Sequence, residues 1–429
     1  MKTLPRRTFL GTAAAAAATF TTLRAKAQES SASPAIRLGL IGCGWWGLLD
    51  AKAALKAGGV EFAALCDVDS ERLAKAADEI EKLQGSRPST FKQYDDLLAV
   101  PELKAVIIAT PPHWHALPFI AACGRGLDIY CEKPLAYDIR EGRAMADAAK
   151  KAGNIVQIGF QRRQATGFMG ARKYVQEGKA GRIVSAEAQI HYTAETPDPT
   201  PAEPPASLDW DLWCGPAPLI PYSKAVGHMN WRLEKTTGQG HLVDWGIHLI
   251  DGARWILGAG APLAVTAAGG LHHLKGKITT PDILTVHFEF DQCPLTWRHR
   301  IWGAQDFNPD TSNGIFLYGE KETVFCTDNK WIVLPRGRGQ QPQVHEGGND
   351  SSGLHIAEFL QAVRSRQQPT CSPEDGHLST TAVKLAMISY DTGAKITWDA
   401  KAEQIVGNPE AAELLKREYR SPWKHPFPA

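Results

Sequence analysis

The chain has 429 residues, too many for a single hydrophobic core and about right for two domains with additions at the ends. It is 43% hydrophobic and 22% charged, with 39 Gly and 28 Pro, a globular composition that excludes disordered and fibrous classes. Lys and Arg number 47 against 46 Asp and Glu, but five of the basic groups and none of the acids lie in the first 27 residues, so the body is faintly acidic and has no electrostatic claim on a nucleic acid.

The amino terminus reads as an address. Pro5-Arg6-Arg7-Thr8-Phe9-Leu10 opens a weakly apolar stretch that includes Ala13 to Ala18 and ends in Ala25-Lys26-Ala27. Charged start, apolar middle and Ala-x-Ala end are the parts of an export signal, and the paired arginines resemble the twin-arginine type. The expectation is a signal peptide over 1–27, a linker over 28–35, and a periplasmic protein carried out already folded by the twin-arginine machinery. A frayed amphipathic helix with a chance Arg pair is the alternative. No uninterrupted apolar run of the chain reaches membrane-spanning length.

From Ile36 the pattern alternates. Strands are expected at Ile36 to Ile41, Val60 to Leu65, Ala105 to Ala109, Leu127 to Cys131 and Ile155 to Ile158, with helices at Leu48 to Ala57 and Glu71 to Leu83. Near-continuous apolar strands between helices predict a doubly wound parallel sheet over 36–159. After about Phe160 the rhythm changes. Arg182 to Tyr192 alternates like a half-buried strand, Thr193 to Ser207 packs five prolines into a long irregular loop, and short strands follow at Ile283 to Phe290, Leu295 to Trp302, Ile315 to Tyr318, Thr323 to Cys326 and Trp331 to Leu334. Few helices separate them, so 160–429 should hold a mostly antiparallel sheet, closed by helices at Leu354 to Val363 and Leu378 to Tyr390. The eight cysteines contain no Cys-x-x-Cys and read as small buried hydrophobes, with neither a disulfide framework nor a zinc site.

Gly42-Cys43-Gly44-Trp45-Trp46-Gly47 is Gly-x-Gly-x-x-Gly between a predicted strand and a predicted helix, the context in which the motif holds a dinucleotide. Gly42 permits the turn, Gly44 the approach of a pyrophosphate and Gly47 close helix–sheet packing, while the helix start offers free amides to the phosphates. Asp67, 25 residues after Gly42, ends the second strand and should accept from the ribose hydroxyls, favouring NAD over NADP unless neighbouring Lys or Arg reverse the preference.

Three further strings then form a set. Thr110-Pro111-Pro112-His113-Trp114-His115 follows the strand ending at Ala109, Glu132-Lys133-Pro134 follows the strand ending at Cys131, and His241-Leu242-Val243-Asp244-Trp245-Gly246-Ile247-His248 carries Asp-x-x-x-His. In this order and with the glycine turn, they resemble the Gfo/Idh/MocA oxidoreductases. The resemblance implies an N-terminal Rossmann domain and a C-terminal α/β domain with an open, mostly antiparallel sheet, often an oligomer interface, so a homodimer or homotetramer is expected. It implies substrates with secondary hydroxyls, chiefly sugars, inositols and their derivatives. It also places Thr110, Pro111, His113 and His115 beside the cofactor.

Oxidation of a secondary alcohol needs a base near neutrality and a cation for the developing alkoxide. His248 is the candidate base and Lys133, leaving the carboxyl end of a parallel strand, the candidate cation. Asp244, four residues before His248, shares its helix face and could orient the imidazole or bind a neighbouring substrate hydroxyl. Glu132 would anchor the turn or Lys133 itself. Gln161 and Arg163 follow the last parallel strand and could reach cofactor or substrate. Tyr192, Trp231 and Arg232 suit a polyhydroxy ligand. The alternatives are a plain helix-surface pair at Asp244 and His248, or a metal cluster of His241, Asp244, His248 and Asp251 that no further ligand string supports. His272-His273 reads as an exposed turn.

The leading expectation is an NAD-dependent oxidoreductase acting on a sugar hydroxyl with a tightly held cofactor. The runner-up is a redox-neutral glycoside hydrolase or lyase working through transient C3 oxidation. A silent sugar-sensing protein on the same fold is the third class.

Overall fold

The computed structural model describes residues 34–428 apart from Gln305, Phe307 and Asn349. The expected signal peptide, and the linker up to residue 33, lie outside the described residues.

Six strands, Ile36–Ile41 (β1), Val60–Cys66 (β2), Ser89–Phe91 (β3), Ala105–Ile108 (β4), Asp128–Glu132 (β5) and Val156–Gly159 (β6), form an all-parallel sheet in the order β3-β2-β1-β4-β5-β6. The order reverses between β1 and β4, so a crevice opens there at the carboxyl ends of the strands. All four residues of β4 and all five of β5 are buried, as strands covered on both faces require. Helices Trp45–Ala57 (α1), Ser70–Gln84 (α2), Ala116–Gly124 (α3) and Ile139–Ala152 (α4) supply the cover. The starts of α2 and α4 are set by Asp69, which accepts from Glu71 N and Arg72 N, and Asp138, which accepts from Glu141 N. The α3 run, Ala-Leu-Pro-Phe-Ile-Ala-Ala-Cys-Gly, is apolar almost all round and has no stripe by which sequence could mark it as a helix.

The second sheet has ten strands: Ile183–His191 (β7), Ala264–Gly270 (β8), Ile283–Glu289 (β9), Pro294–Arg300 (β10), Asn313–Gly319 (β11), Glu322–Cys326 (β12), Lys330–Pro335 (β13), Gln343–Glu346 (β14), Ile396–Asp399 (β15) and Gln404–Val406 (β16). Their order is β14-β13-β12-β11-β7-β10-β9-β8-β15-β16, and every pairing is antiparallel except β7 with β10. Alternation fixes the faces. Leu284, Val286 and Phe288 of β9 and Leu295 and Trp297 of β10 are buried, while Thr285, His287 and Arg298 are exposed. Helices Thr166–Gln176 (α5), Ile247–Leu257 (α6) and Pro373–Thr392 (α8) cover the buried face. The helix Ser351–Ser365 (α7) instead returns to the first sheet, where Ile356, Phe359 and Leu360 join the core of Leu38, Leu40 and Phe62. All eight cysteines are free and buried.

Candidate active site

The glycine turn is shaped by contacts that tolerate no side chain. Gly42 has φ +95°, and a Cβ there would meet the Ala109 carbonyl at 2.7 Å. One on Gly47 would lie 2.0 Å from the Gly42 oxygen. Gly44, by contrast, faces nothing within 4 Å, so its open side looks into a groove that also exposes the start of α1. Asp67 at the end of β2 accepts from Cys43 N at 2.7 Å and Asp69 N at 2.9 Å, which ties the acid to the turn while the side chain still lines the groove. Burial raises its pKa, against the backbone amides that favour its charge. A close turn, a vacant approach at Gly44 and an acid at the next strand end fit an adenine dinucleotide.

A segment of the second domain roofs this groove. Residues 207–231 cross the end of β2, with Ser70 N donating to Ser207 O at 2.9 Å and Asp209 N to Val68 O at 3.1 Å. Lys92 pairs with Asp209, and His228 Nε2 lies 3.1 Å from Asp69 Oδ2. Trp213, Met229 and Trp231 form the roof, facing Trp45, Tyr94 and Pro111.

Two expected cofactor contacts are corrected here. His113 and His115 turn inward and do not line the groove, although Thr110, Pro111 and Trp114 of the same loop do. His113 Nε2 meets Trp213 O at 2.9 Å, pinning the roof, and His115 Nδ1 meets Pro134 O at 2.8 Å, pinning the turn that carries Lys133. Burial holds His113 down to about 3 and His115 to about 4, so both are neutral struts.

The groove runs into a larger cleft, the two sharing Trp45, Trp46, Ala109, Thr110, Met229, Trp231 and Arg232. Lys133 and His248 both face the second part. Lys133 Nζ donates to Asp244 Oδ1 at 2.8 Å and to the Asp244 carbonyl at 2.7 Å, and Arg232 Nε approaches Asp244 Oδ2 at 3.0 Å. With both carboxylate oxygens engaged by cations, Asp244 balances charge and does not orient His248, as one expectation had it. Burial opposes its ionisation, but Lys133 and Arg232 outweigh burial and hold its pKa below the usual carboxylate value.

Leu242–Gly246 is a single π-helical turn running into α6. Such turns often mark functional sites, and this one leaves Trp245 exposed at the mouth of the cleft while Asp244 stays buried. His248 sits edge-on to Phe160 at 6.2 Å, and its Nδ1 has no partner among the described residues. Burial first and the Lys133 charge second push its pKa well below the usual histidine value, leaving a neutral imidazole able to take a proton.

Glu132 is buried beneath Lys133, accepting from Gln161 Nε2 at 2.6 Å and Lys133 N at 3.2 Å. It anchors the turn, and Gln161 also reaches the cleft. Arg163, expected to reach cofactor or substrate, does not line the cleft either. It is 2% exposed and absent from the cleft wall, bound by Asp251 Oδ1 and Oδ2 at 2.5 and 2.8 Å and by Asp375, so a guanidinium expected to touch ligand is spent on a buried ion pair. Asp251 is thereby unavailable to a metal cluster with Asp244. Tyr192, Trp231 and Arg232 line the cleft, and His272 and His273 are exposed.

Sequence reasoning missed Arg162, Asn230 and Trp245 in the cleft wall, and Asp50, a buried acid of α1 whose oxygens have no partner among the described residues. Burial, then the neighbouring Glu132, raises the pKa of Asp50 well above the carboxylate range. Nothing in a helical run betrays such a position, because its character comes from what packs on it.

Comparison with known proteins agrees with this geometry. The chain is 34% identical over 159 residues to levoglucosan dehydrogenase of Pseudarthrobacter phenanthrenivorans, covering 37% of this chain and 34% of that protein. It is 28% identical over 223 residues to the rhizopine catabolism protein MocA of Rhizobium meliloti, covering 52% and 57%. The chain thus spans from about a third to just over half the length of these curated relatives. In fold, it superposes on a levoglucosan dehydrogenase complex with NADH and levoglucosan at TM-score 0.67 and 20% identity, covering 84% of this chain and 99% of that one. Three consecutive family models account for most of the sequence: the oxidoreductase family NAD-binding Rossmann fold over 36–160, the GFO/IDH/MocA C-terminal domain over 168–325, and the oxidoreductase family C-terminal alpha/beta domain over 334–425. The chain therefore belongs to the Gfo/Idh/MocA oxidoreductase family and carries its NAD-binding Rossmann domain.

Proposed function

We propose that the protein is an NAD-dependent oxidoreductase that moves a hydride between a secondary hydroxyl of a sugar or sugar derivative and a nicotinamide held in the roofed groove. The observation that carries this reading is the placement of an ammonium (Lys133) and a neutral imidazole (His248) on the cleft that prolongs the dinucleotide groove. The sugar-type substrates named for its relatives, levoglucosan and inositols among them, support the substrate class.

NAD bound there supplies the hydride acceptor. Lys133 holds the reacting oxygen and stabilises the alkoxide as the C–H bond breaks. His248 takes the hydroxyl proton. Asp244, clamped by Lys133 and Arg232, keeps the ammonium in place and offsets its charge. The roof, latched by His228 and Lys92, supports a cofactor that stays bound between turnovers. Trp231 and Tyr192 offer faces on which a sugar ring can stack.

Export of the folded holoprotein to the periplasm rests on the Arg6-Arg7 signal, and assembly into a dimer or tetramer on the uncovered face of the ten-stranded sheet. Cell fractionation of an Arg6→Lys, Arg7→Lys double variant checks the first, with normal export counting against it. For the main reading, purified protein is incubated with NAD and a panel of sugars, cyclitols and glycosides. The expected result is a keto product together with reduced cofactor. Release of aglycone without net reduction would replace this reading by the redox-neutral one, and no reaction with any member would remove both.

A further inference from the structure

One polar group in the cleft has no role in the chemistry above. His241 is 2% exposed, lines the cleft, and its Nε2 has no hydrogen-bond partner among the described residues. It stands just before the π turn, and His241, Asp244 and His248 all line the cleft. Aromatic groups hold the ring. Tyr192 lies over it with centroids 4.9 Å apart, and His299 meets it edge-on at 5.0 Å. His299 has both nitrogens engaged, one by Trp297 Nε1 at 3.1 Å and the other by Pro281 O at 3.2 Å, and so cannot satisfy His241.

A buried nitrogen without a partner is costly. Because His241 lines the cleft, a ligand there can supply the missing partner. Burial, then the neighbouring His299, keeps the imidazole uncharged, which makes it a poor seat for an anion. Asp244 offsets only one of the two positive charges of Lys133 and Arg232, so a further cation would be repelled, and a carboxylate, which only accepts, could serve just the tautomer with its hydrogen on Nε2. A hydroxyl both donates and accepts, and suits either tautomer of a neutral ring.

We propose that His241 is a specificity-determining residue that hydrogen-bonds a substrate hydroxyl on the ring carbon next to the one oxidised, so that the preferred substrates are vicinal polyols. This rests on the reading of Lys133 and His248 as the place of the reacting hydroxyl. Sites built to bond a hydroxyl reject the analogue lacking it, because the buried polar group is then left bare.

The test is calorimetric binding to the NADH-loaded protein, where an alcohol forms a dead-end complex and catalysis is not needed. The probes are myo-inositol, D-glucose and the 2-, 3-, 4- and 6-deoxy analogues of D-glucose. Wild type should bind one deoxy analogue at least tenfold more weakly than D-glucose. His241→Leu should erase that gap and leave the gaps at other positions intact, and His241→Gln, which keeps a hydrogen-bonding end, should retain part of it. A general packing defect would weaken all probes alike. Gaps unchanged in both variants, or uniform weakening, overturn the proposal. Binding with the expected pattern but no NADH formed from NAD leaves it standing and removes the oxidoreductase reading. Turnover of a polyol with gaps indifferent to His241 does the converse, and no binding of any probe removes both.

Discussion

Lys133 Nζ donates twice to Asp244, to the carboxylate at 2.8 Å and to the backbone carbonyl at 2.7 Å, across 111 positions of sequence. One residue leaves the parallel sheet and the other sits in the π turn of the second domain, so the pair spans the junction at the cleft. With Arg232 on the other carboxylate oxygen, it fixes the ammonium where the reacting oxygen must lie.

Replacing Lys133 by Met should lower turnover by about 10²–10⁴-fold, the usual worth of a positioned charge or acid–base group. Dinucleotide affinity, read from quenching of Trp45 and Trp46 in the groove, should change little. Turnover within a factor of three of wild type would remove Lys133 from the reaction.

His248 governs the acid limb of oxidation. Burial and the Lys133 charge depress its pKa, so the imidazole remains in the base form at pH values where a free histidine, near 6.5, has begun to protonate. Activity should therefore hold from pH 7 down through 6.5 and decline only at lower pH, as the proton-accepting form is lost. A pH profile of kcat/KM with its midpoint at or above 6.5 contradicts this, as does an unchanged profile and rate in His248→Ala.

Asp67 lines the groove at the end of β2, where an acid should repel the 2′-phosphate of NADP, with Arg72 and Lys92 also on the groove wall. Asp67→Ser should narrow the preference for NAD over NADP by roughly tenfold or more, about 1.4 kcal/mol or above, measured as the ratio of dissociation constants. The affinity for NAD should fall too, because Cys43 N and Asp69 N lose their acceptor. A ratio unmoved by the change would assign the preference elsewhere.

The roof over the groove predicts slow cofactor exchange. Lys92→Ala with His228→Ala removes both side-chain latches and should raise the dissociation rate of NADH about tenfold, for a loss on the order of 1.4 kcal/mol. Stopped-flow displacement decides the matter, and equal rates would mean that the backbone pairing at Ser70 and Asp209 suffices.

Arg163 acts in stability. Its guanidinium is almost fully buried between Asp251 and Asp375, and Arg163→Met leaves a buried carboxylate without its main counter-ion. A loss of about 3–5 kcal/mol in denaturant unfolding is expected, with substrate KM unchanged in the folded fraction. A raised KM at native stability would return Arg163 to the substrate site.

The features legible in the amino-acid order alone were those written in short-range sterics and periodicity. Gly42, Gly44 and Gly47 announce a turn because only a missing Cβ fits there, and Asp67 follows at the end of the next strand. Apolar runs such as Ala105–Ile108 report burial on both faces, and the alternation in β9 and β10 reports burial on one. Lys133, Asp244 and His248 were named from short motifs whose spacing survives folding. Tertiary structure alone decided the direction of each polar side chain. His113, His115 and Arg163 sit beside the right loops yet turn into the core, while His241 turns into the cleft. A motif specifies the backbone path over a few residues, but the partner that claims an imidazole or a guanidinium arrives from 100 residues away for His113 and 88 for Arg163, and long-range packing selects it.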